Sequence, residues 1–256
     1  MLTAVTRGVS PLLADCELTW LDREPIRIDL AVAQHQAYEQ ALSDAGARVV
    51  ALPALEGHPD CVFVEDPALV LEEVAVITTM GAASRRGERE SLASALAEYR
   101  LVLRMTDPAK LEGGDVMRIG RRLFVGLSNR TDAAGLAQLA DLLRPWAYEV
   151  IAVELRNCLH LKSACTCIGE DTVLINPDWV DPATLGKFRF LPVDRKEPGA
   201  ANALRVGETV LLPSAYPRTA AMLRAEGFTV RELELSELLK AESGVTCSSL
   251  LFEAGD

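Results

Sequence analysis

Cys247 stands in Ser243-Gly244-Val245-Thr246-Cys247-Ser248-Ser249, a small, hydroxyl-rich stretch that runs directly into the apolar Leu250-Leu251-Phe252. A flexible, polar approach to a thiol suits an exposed nucleophile. By local sequence alone it is first a cysteine at a strand edge. Histidine is scarce. His35 falls on the polar side of a helical stretch beside Gln36 and Glu39 and is expected in solvent, and His58 lies in the loop Glu56-Gly57-His58-Pro59-Asp60. His160 differs, because Cys158-Leu159-His160-Leu161-Lys162-Ser163 leads into a hairpin. Between leucines it reads either as a core histidine or as a general acid–base. Two acidic motifs bear on that choice. Asp60-Cys61-Val62-Phe63-Val64-Glu65-Asp66-Pro67 sets three carboxylates in an apolar run read as extended, so Glu65 and Asp66 are expected on opposite faces with at least one turned inward. Buried carboxylates are paired or functional. Leu111-Glu112-Gly113-Gly114-Asp115 offers two more around a diglycine that also fits turn chemistry. A zinc reading would recruit Cys158, His160, Cys165 and Cys167, although no second Cys-x(2–4)-Cys pair accompanies them.

The elements that must position these residues form a returning pattern. Residues 62–77, 115–126, 165–175 and 203–212 each read as two apolar runs broken by polar or Gly residues, near Glu72, Gly120, Gly169 and Gly207, which is a hairpin signal. Helical periodicity follows over 29–45, 89–99, 131–143 and 217–226, the third capped by Asn129 or Thr131. A short apolar strand comes after each helix, at 49–52, 101–103, 150–153 and 228–230. The unit is therefore hairpin, helix, strand, recurring roughly every 40–50 residues, a period of arrays and closed rings. The first strand, 2–5, has no hairpin partner before it, and 247–252 has no helix after it. Pairing the two would complete a fifth unit and close a ring, which would bring Asp60–Asp66, Glu112–Asp115, His160 and Cys247 to one end of its axis. Residues 1–256 read as one domain, with 177–199 as an irregular surface excursion.

With 256 residues, 49% hydrophobic, the chain is long enough for a core that needs neither disulfides nor a structural metal. The 26 Lys and Arg against 37 Asp and Glu leave a net charge of −11 and no basic run, which disfavours nucleic acid. Neither a secretory signal within 1–10 nor a stretch long enough to span a membrane is present, and six dispersed cysteines fit a reducing cytoplasm.

FVEDP (63–67), SRRGERE (84–90), LEGGD (111–115), LHLKS (159–163), AANAL (200–204), AYPRT (215–219) and GVTCSSL (244–250) occur in an order that resembles the dimethylarginine dimethylaminohydrolases of the guanidine-modifying (pentein) superfamily. The resemblance spans nearly the whole chain. It implies a five-bladed α/β propeller with the active site in its central channel, acting on a small guanidinium without metal or cofactor. By motif, Cys247 resembles the nucleophile, His160 the acid–base and Glu112 the carboxylate that orients it. Asp60, Glu65 and Asp66 resemble the set that grips the guanidinium, and Arg85 and Arg130 the pair that holds the α-carboxylate. Leu18 resembles a lid position whose backbone meets the α-amino group, and Ala241 is placed with it. The implied reaction converts Nω-methylated arginine to citrulline and an amine through an S-alkylthiouronium on cysteine. Hydrolysis of arginine or another small guanidine, or silent binding of cationic amino acids, are the alternatives, and either a monomer or a homodimer is compatible.

Overall fold

In the computed structural model, which describes residues 1–255, the repeating unit is realised as five three-stranded sheets. The chain opens with β1 (Leu2–Arg7), α1 (Ile28–Asp44) and β2 (Arg48–Leu52). Three units follow: β3 (Ala68–Val70), β4 (Val74–Ile77), α2 (Arg89–Leu96) and β5 (Leu101–Arg104); β6 (Val116–Ile119), β7 (Arg122–Leu127), α3 (Ala133–Leu143) and β8 (Glu149–Glu154); and, behind the single turn α4 (Leu161–Ala164), β9 (Cys165–Cys167), β10 (Thr172–Ile175) and β11 (Arg189–Pro192). The last comprises β12 (Leu204–Val206), β13 (Thr209–Pro213), α5 (Pro217–Ala225) and β14 (Thr229–Leu233), before the turn α6 (Ser236–Leu239) and β15 (Leu250–Glu253). In every sheet an antiparallel pair is extended by one parallel strand. The parallel step needs a crossover, which a helix supplies in four of the sheets and a stretch with one 3-10 turn in the remaining one, the fourth along the chain. The termini join as expected: β15 runs antiparallel to β1, with Leu2 opposite Glu253 and Val5 opposite Leu250.

The short strands β3, β6, β9, β12 and β15 face one another around the axis and enclose a cavity of about 270 Å³ lined from all five sheets. Apolar side chains fill the layer between sheets and helices, one cluster to each unit. Around α1, for instance, Ala31, Tyr38, Ala41 and Leu42 pack against Ala4, Leu211 and Leu233.

The structure departs from the sequence reading in four places. Residues 60–67 form turns, and the strand starts only at Ala68, so Glu65 and Asp66 do not alternate across a sheet and both are buried. The irregular stretch 177–199 is no mere excursion, because it contains β11, which completes the fourth sheet where a 3-10 turn replaces the helix. The cap of α3 is Asp132, whose carboxylate accepts from Gly135 N at 2.7 Å, a contact of the kind that contributes about 1 kcal/mol. His35 is 2% exposed rather than solvated, packed near Glu39 with Nε2 unpartnered.

Candidate active site

Around one end of the axis the loops that open each hairpin converge on a small pit lined by Asp60, Phe63, Asp66, Arg85, Glu112, Arg130, Leu159, His160, Ala241 and Cys247, with Glu17, Glu242 and Ser243 at its edge. Cys247 lies in the turn before β15 rather than in the strand. Its turn is closed by Cys247 N donating to Gly244 O (3.3 Å), while Gly244 N points at the sulfur (3.3 Å). Asn202 and Tyr38, both distant in sequence, help to hold this turn. Asn202 receives Thr246 N (3.1 Å) and donates to Thr246 Oγ1 (3.0 Å), and the Tyr38 hydroxyl of α1 donates to Val245 O (2.8 Å) and meets Ser249 Oγ (2.7 Å). A Cβ on Gly244 would lie 2.3 Å from the Asn202 amide, which requires glycine there.

His160 precedes α4, whose Leu161 N–H is received by the buried Asp115 carboxylate (3.0 Å); Ser128 Oγ donates to the other oxygen (2.7 Å). The imidazole Nε2 contacts Glu112 Oε2 at 2.9 Å, and Nδ1 lies 3.8 Å from Asp66 Oδ1. Glu112 is in turn fixed by Ala82 N (2.9 Å) and faces Arg130 at 3.5 Å. The diglycine of LEGGD is a packing requirement more than a turn device. A Cβ on Gly113 would come within 2.0 Å of Glu65 O, and one on Gly114 within 2.6 Å of His160 Nδ1 and 2.8 Å of Asp66 Oδ1.

Arg85 is buried in a lattice of acceptors: Nη1 to Asp66 (2.6 Å), Nε and Nη2 to Glu88 (3.1 and 2.9 Å), and Nη2 also to Phe63 O (2.9 Å). Arg130 donates to Thr19 Oγ1 (2.9 Å). Asp60 receives Glu17 N on both oxygens at 3.2 Å. Two sequence-derived positions do not line the pit. Glu65 points to the far side, where Lys162 Nζ (2.5 Å) and Thr246 Oγ1 (2.8 Å) bind it and where it lines the axial cavity. Leu18 packs half-buried against the α1 cluster, next to the rim residue Glu17.

Electrostatics follow from this arrangement. Burial alone would lower the His160 pKa, but Asp66, Asp115 and the Glu112 hydrogen bond outweigh it and lift the value to about 9. Burial opposes the charge of Glu112, yet the bonded His160, Arg85 and Arg130 hold its carboxyl below the ordinary range. Asp60 is pushed up to about 6, chiefly by burial. Burial, then the Glu65 and Asp66 charges, push the Cys247 thiol well above its ordinary value. The site thus pairs a charged imidazolium with a neutral thiol in an anionic setting: five carboxylates (Glu17, Asp60, Asp66, Glu112, Glu242) border it against two guanidiniums. Among the described residues, the group of ligand-type atoms close enough to hold a metal ion is Asp66, Glu112 and His160, within 4.8 Å of one another. Cys158, Cys165 and Cys167 do not join it. Each member of the trio already has a partner within the site, through Arg85 and the Glu112–His160 contact.

Asn202, Tyr38, Asp115 and Lys162 are the supporting residues that local sequence did not assign. Asn202 and Lys162 sit inside the motifs AANAL and LHLKS, but their partners lie 44 and 97 residues away, beyond any local pattern.

Five α/β sheets around an axial site with cysteine, histidine and carboxylates define a protein of the guanidine-modifying (pentein) type. A family model described as "N,N dimethylarginine dimethylhydrolase, eukaryotic" matches residues 19–187. The N(G),N(G)-dimethylarginine dimethylaminohydrolase of Streptomyces coelicolor is 37% identical over 248 residues, 96% of this chain and 95% of that protein. The Pseudomonas aeruginosa enzyme, solved as a cysteine-to-serine mutant complexed with citrulline, superposes with a TM-score of 0.91 at 32% identity over 98% of each chain. A dimethylarginine dimethylaminohydrolase solved as an adduct of a histidine-to-glycine mutant with S-methyl-L-thiocitrulline gives 0.94 at 33% identity, covering 98% of this chain and all of that one. The chain belongs to the dimethylarginine dimethylaminohydrolase family.

Proposed function

We propose that the chain hydrolyses Nω-methylated arginines, asymmetric dimethylarginine and monomethylarginine, to citrulline and dimethylamine or methylamine. The observation that carries this reading is the joint lining of one anionic pit by Cys247 and by a His160 bonded to Glu112. A guanidinium carbon is a poor electrophile, so attack needs a thiolate and departure needs a protonated amine. Burial and the Glu65 and Asp66 charges hold the Cys247 proton in place; the cationic substrate offsets those charges, and as it binds the thiol ionises and its proton passes to solvent, His160 being already protonated. The sulfur then bonds to the guanidinium carbon. The imidazolium, still charged at neutral pH with its pKa near 9, gives its proton to the leaving nitrogen as the C–N bond breaks. Water next attacks the S-alkylthiouronium carbon, its proton returns to His160, and the C–S bond breaks to release citrulline and the thiol.

Glu112 orients and charges the imidazole. Asp60 and Asp66 grip the guanidinium by charge-assisted hydrogen bonds, while Arg85 and Arg130 serve the α-carboxylate. Leu18 and Ala241 offer backbone groups to the α-amino end, and Glu65 acts from below the pit through its bond to Thr246 beside the nucleophile. The reading takes 1–256 as one catalytic domain that needs no metal or cofactor, working in a reducing cytoplasm as a monomer or homodimer, with neither nucleic acid nor membrane as partner. No helix among the described residues is long and apolar enough to cross a membrane. Citrulline formation from arginine, monomethylarginine and dimethylarginine assayed side by side tests the assignment: methylated substrates are expected to give the higher kcat/KM, and preference for arginine would overturn it.

A further inference from the structure

The pit is small, about 30 Å³ open to the centre of a water-sized sphere, where a single water needs about 10–15 Å³ in the same measure. Glu17 borders the pit, and the segment it begins, Glu17–Leu21, is anchored by half-buried Leu18 and otherwise by polar contacts. Trp20 and Leu21 are 51% and 50% exposed. Their fastening is concentrated on one side chain. The backbone N–H groups of Thr19 (2.8 Å), Trp20 and Leu21 all donate to the carboxylate of Glu242, three consecutive donors on one acceptor pair. Ser84 on Glu17 and Arg130 on Thr19 add one contact each. Glu242 itself has φ of +54°, a left-handed conformation that an L-residue adopts at a cost. It sits between two pit-lining residues, Ala241 and Ser243. Consecutive N–H groups make a favourable concavity for a negative charge.

We propose that Glu242 is the latch of this lid, a positioning residue whose carboxylate sets how often the pit opens to admit a ligand and release a product, and which ties lid closure to the placement of the Ala241 backbone. The inference rests on the hydrolase reading only for the identity of what passes through, because the latch itself is a property of the ligand-free chain. Among the described residues no other side chain takes more than one backbone N–H of the segment; the Asp60 carboxylate takes Glu17 N alone.

The test is alkylation of Cys247 by iodoacetamide in the folded, ligand-free chain. Modification of the Cys247 peptide is followed by mass spectrometry across a pH series, with thermal melts alongside, for the parent, Glu242→Ala and Glu242→Gln. Glu242→Ala is expected to react about tenfold faster at every pH, equivalent to about 1.4 kcal/mol in the opening equilibrium. The pH dependence should keep its shape, since access changes and thiol ionisation does not. Glu242→Gln should fall between, its amide oxygen still accepting but uncharged. An unchanged rate in folded Glu242→Ala overturns the latch. So does a rate change that comes with a displaced pH dependence, because the carboxylate would then be acting on the sulfur. If Glu242→Ala does not fold, Glu242→Gln decides alone: faster alkylation supports the latch and the parental rate overturns it. No turnover is needed, so failure here leaves the hydrolase reading standing, and absence of citrulline from every guanidine leaves the latch standing.

Discussion

Replacing Glu112 with glutamine removes one charge from the centre of the site while keeping the shape of the side chain. The carboxylate lies 2.9 Å from His160 Nε2, and both groups are buried. Two unit charges about 4 Å apart interact by about 4 kcal/mol at an effective dielectric of about 20. Asp66 and Asp115 also support the imidazolium, and Gln still offers an oxygen, so only part of that interaction is lost. A fall of about one to two pKa units, from about 9, is therefore expected for His160 in Glu112→Gln. Titration of the ring carbon and nitrogen signals by NMR reads this directly in ligand-free protein. Activity should follow, because a histidine that has lost its proton cannot protonate the leaving amine. The loss in kcat at pH 8 is expected at about two- to tenfold, the fall in the protonated fraction of His160 when its midpoint drops by about one to two units from about 9, and it should shrink as the pH is lowered. An unchanged His160 midpoint in a folded variant would refute the electrostatic account of this pair. So would an activity loss that is flat with pH.

Gly114→Ala forces a methyl group to within 2.6 Å of His160 Nδ1 and 2.8 Å of Asp66 Oδ1; overpacking of this kind costs about 1–3 kcal/mol. The melting temperature should drop and the His160 signals should shift, whereas parental stability would contradict the packing role given to the diglycine. His160 also makes stability depend on pH. Its folded pKa of about 9 lies above the ordinary 6.5, so the stabilisation is fully present below pH 6.5 and is lost as the pH rises through 9. The shift corresponds to about 3 kcal/mol, and denaturant titrations between pH 6 and 10 should find a decline that His160→Asn flattens. A decline of equal size in His160→Asn would assign it elsewhere. Asn202→Ala leaves Thr246 N without its acceptor and frees the turn that carries Cys247, and should destabilise the chain by about 1–3 kcal/mol; equilibrium unfolding at parental midpoint would contradict this.

The repeat was legible because each hairpin is local: alternating apolar residues, a turn at Gly120 or Gly207 with positive φ, and a helix behind. It failed where a neighbouring unit, not the segment itself, decides the conformation. Residues 60–67 are as apolar and β-rich as a strand, but their backbone is spent on turns and on the contact from Glu65 N to Cys247 O, so no ladder forms. β11 was hidden because its unit lacks the helix whose period announces the others. Motif order gathered as candidates the residues that the fold brings to one pit, together with Glu65 and Leu18, which it does not. Which way each one points was not readable: Glu65 and Asp66 are adjacent in sequence, yet one bonds Lys162 beside the axial cavity and the other bonds Arg85 in the pit. His35 shows the same limit, since it is buried on a side of α1 that reads as polar.

The central claim is that Cys247 becomes covalently bonded to the substrate carbon while His160 supplies the proton that lets the amine go. Mass spectrometry of protein quenched in acid during turnover of dimethylarginine examines it most directly. A mass increase confined to the Cys247 peptide, matching the S-alkylthiouronium and absent from Cys247→Ser, is the expected result. Citrulline released at full rate with every cysteine peptide unmodified, or turnover surviving in Cys247→Ser, would contradict the mechanism.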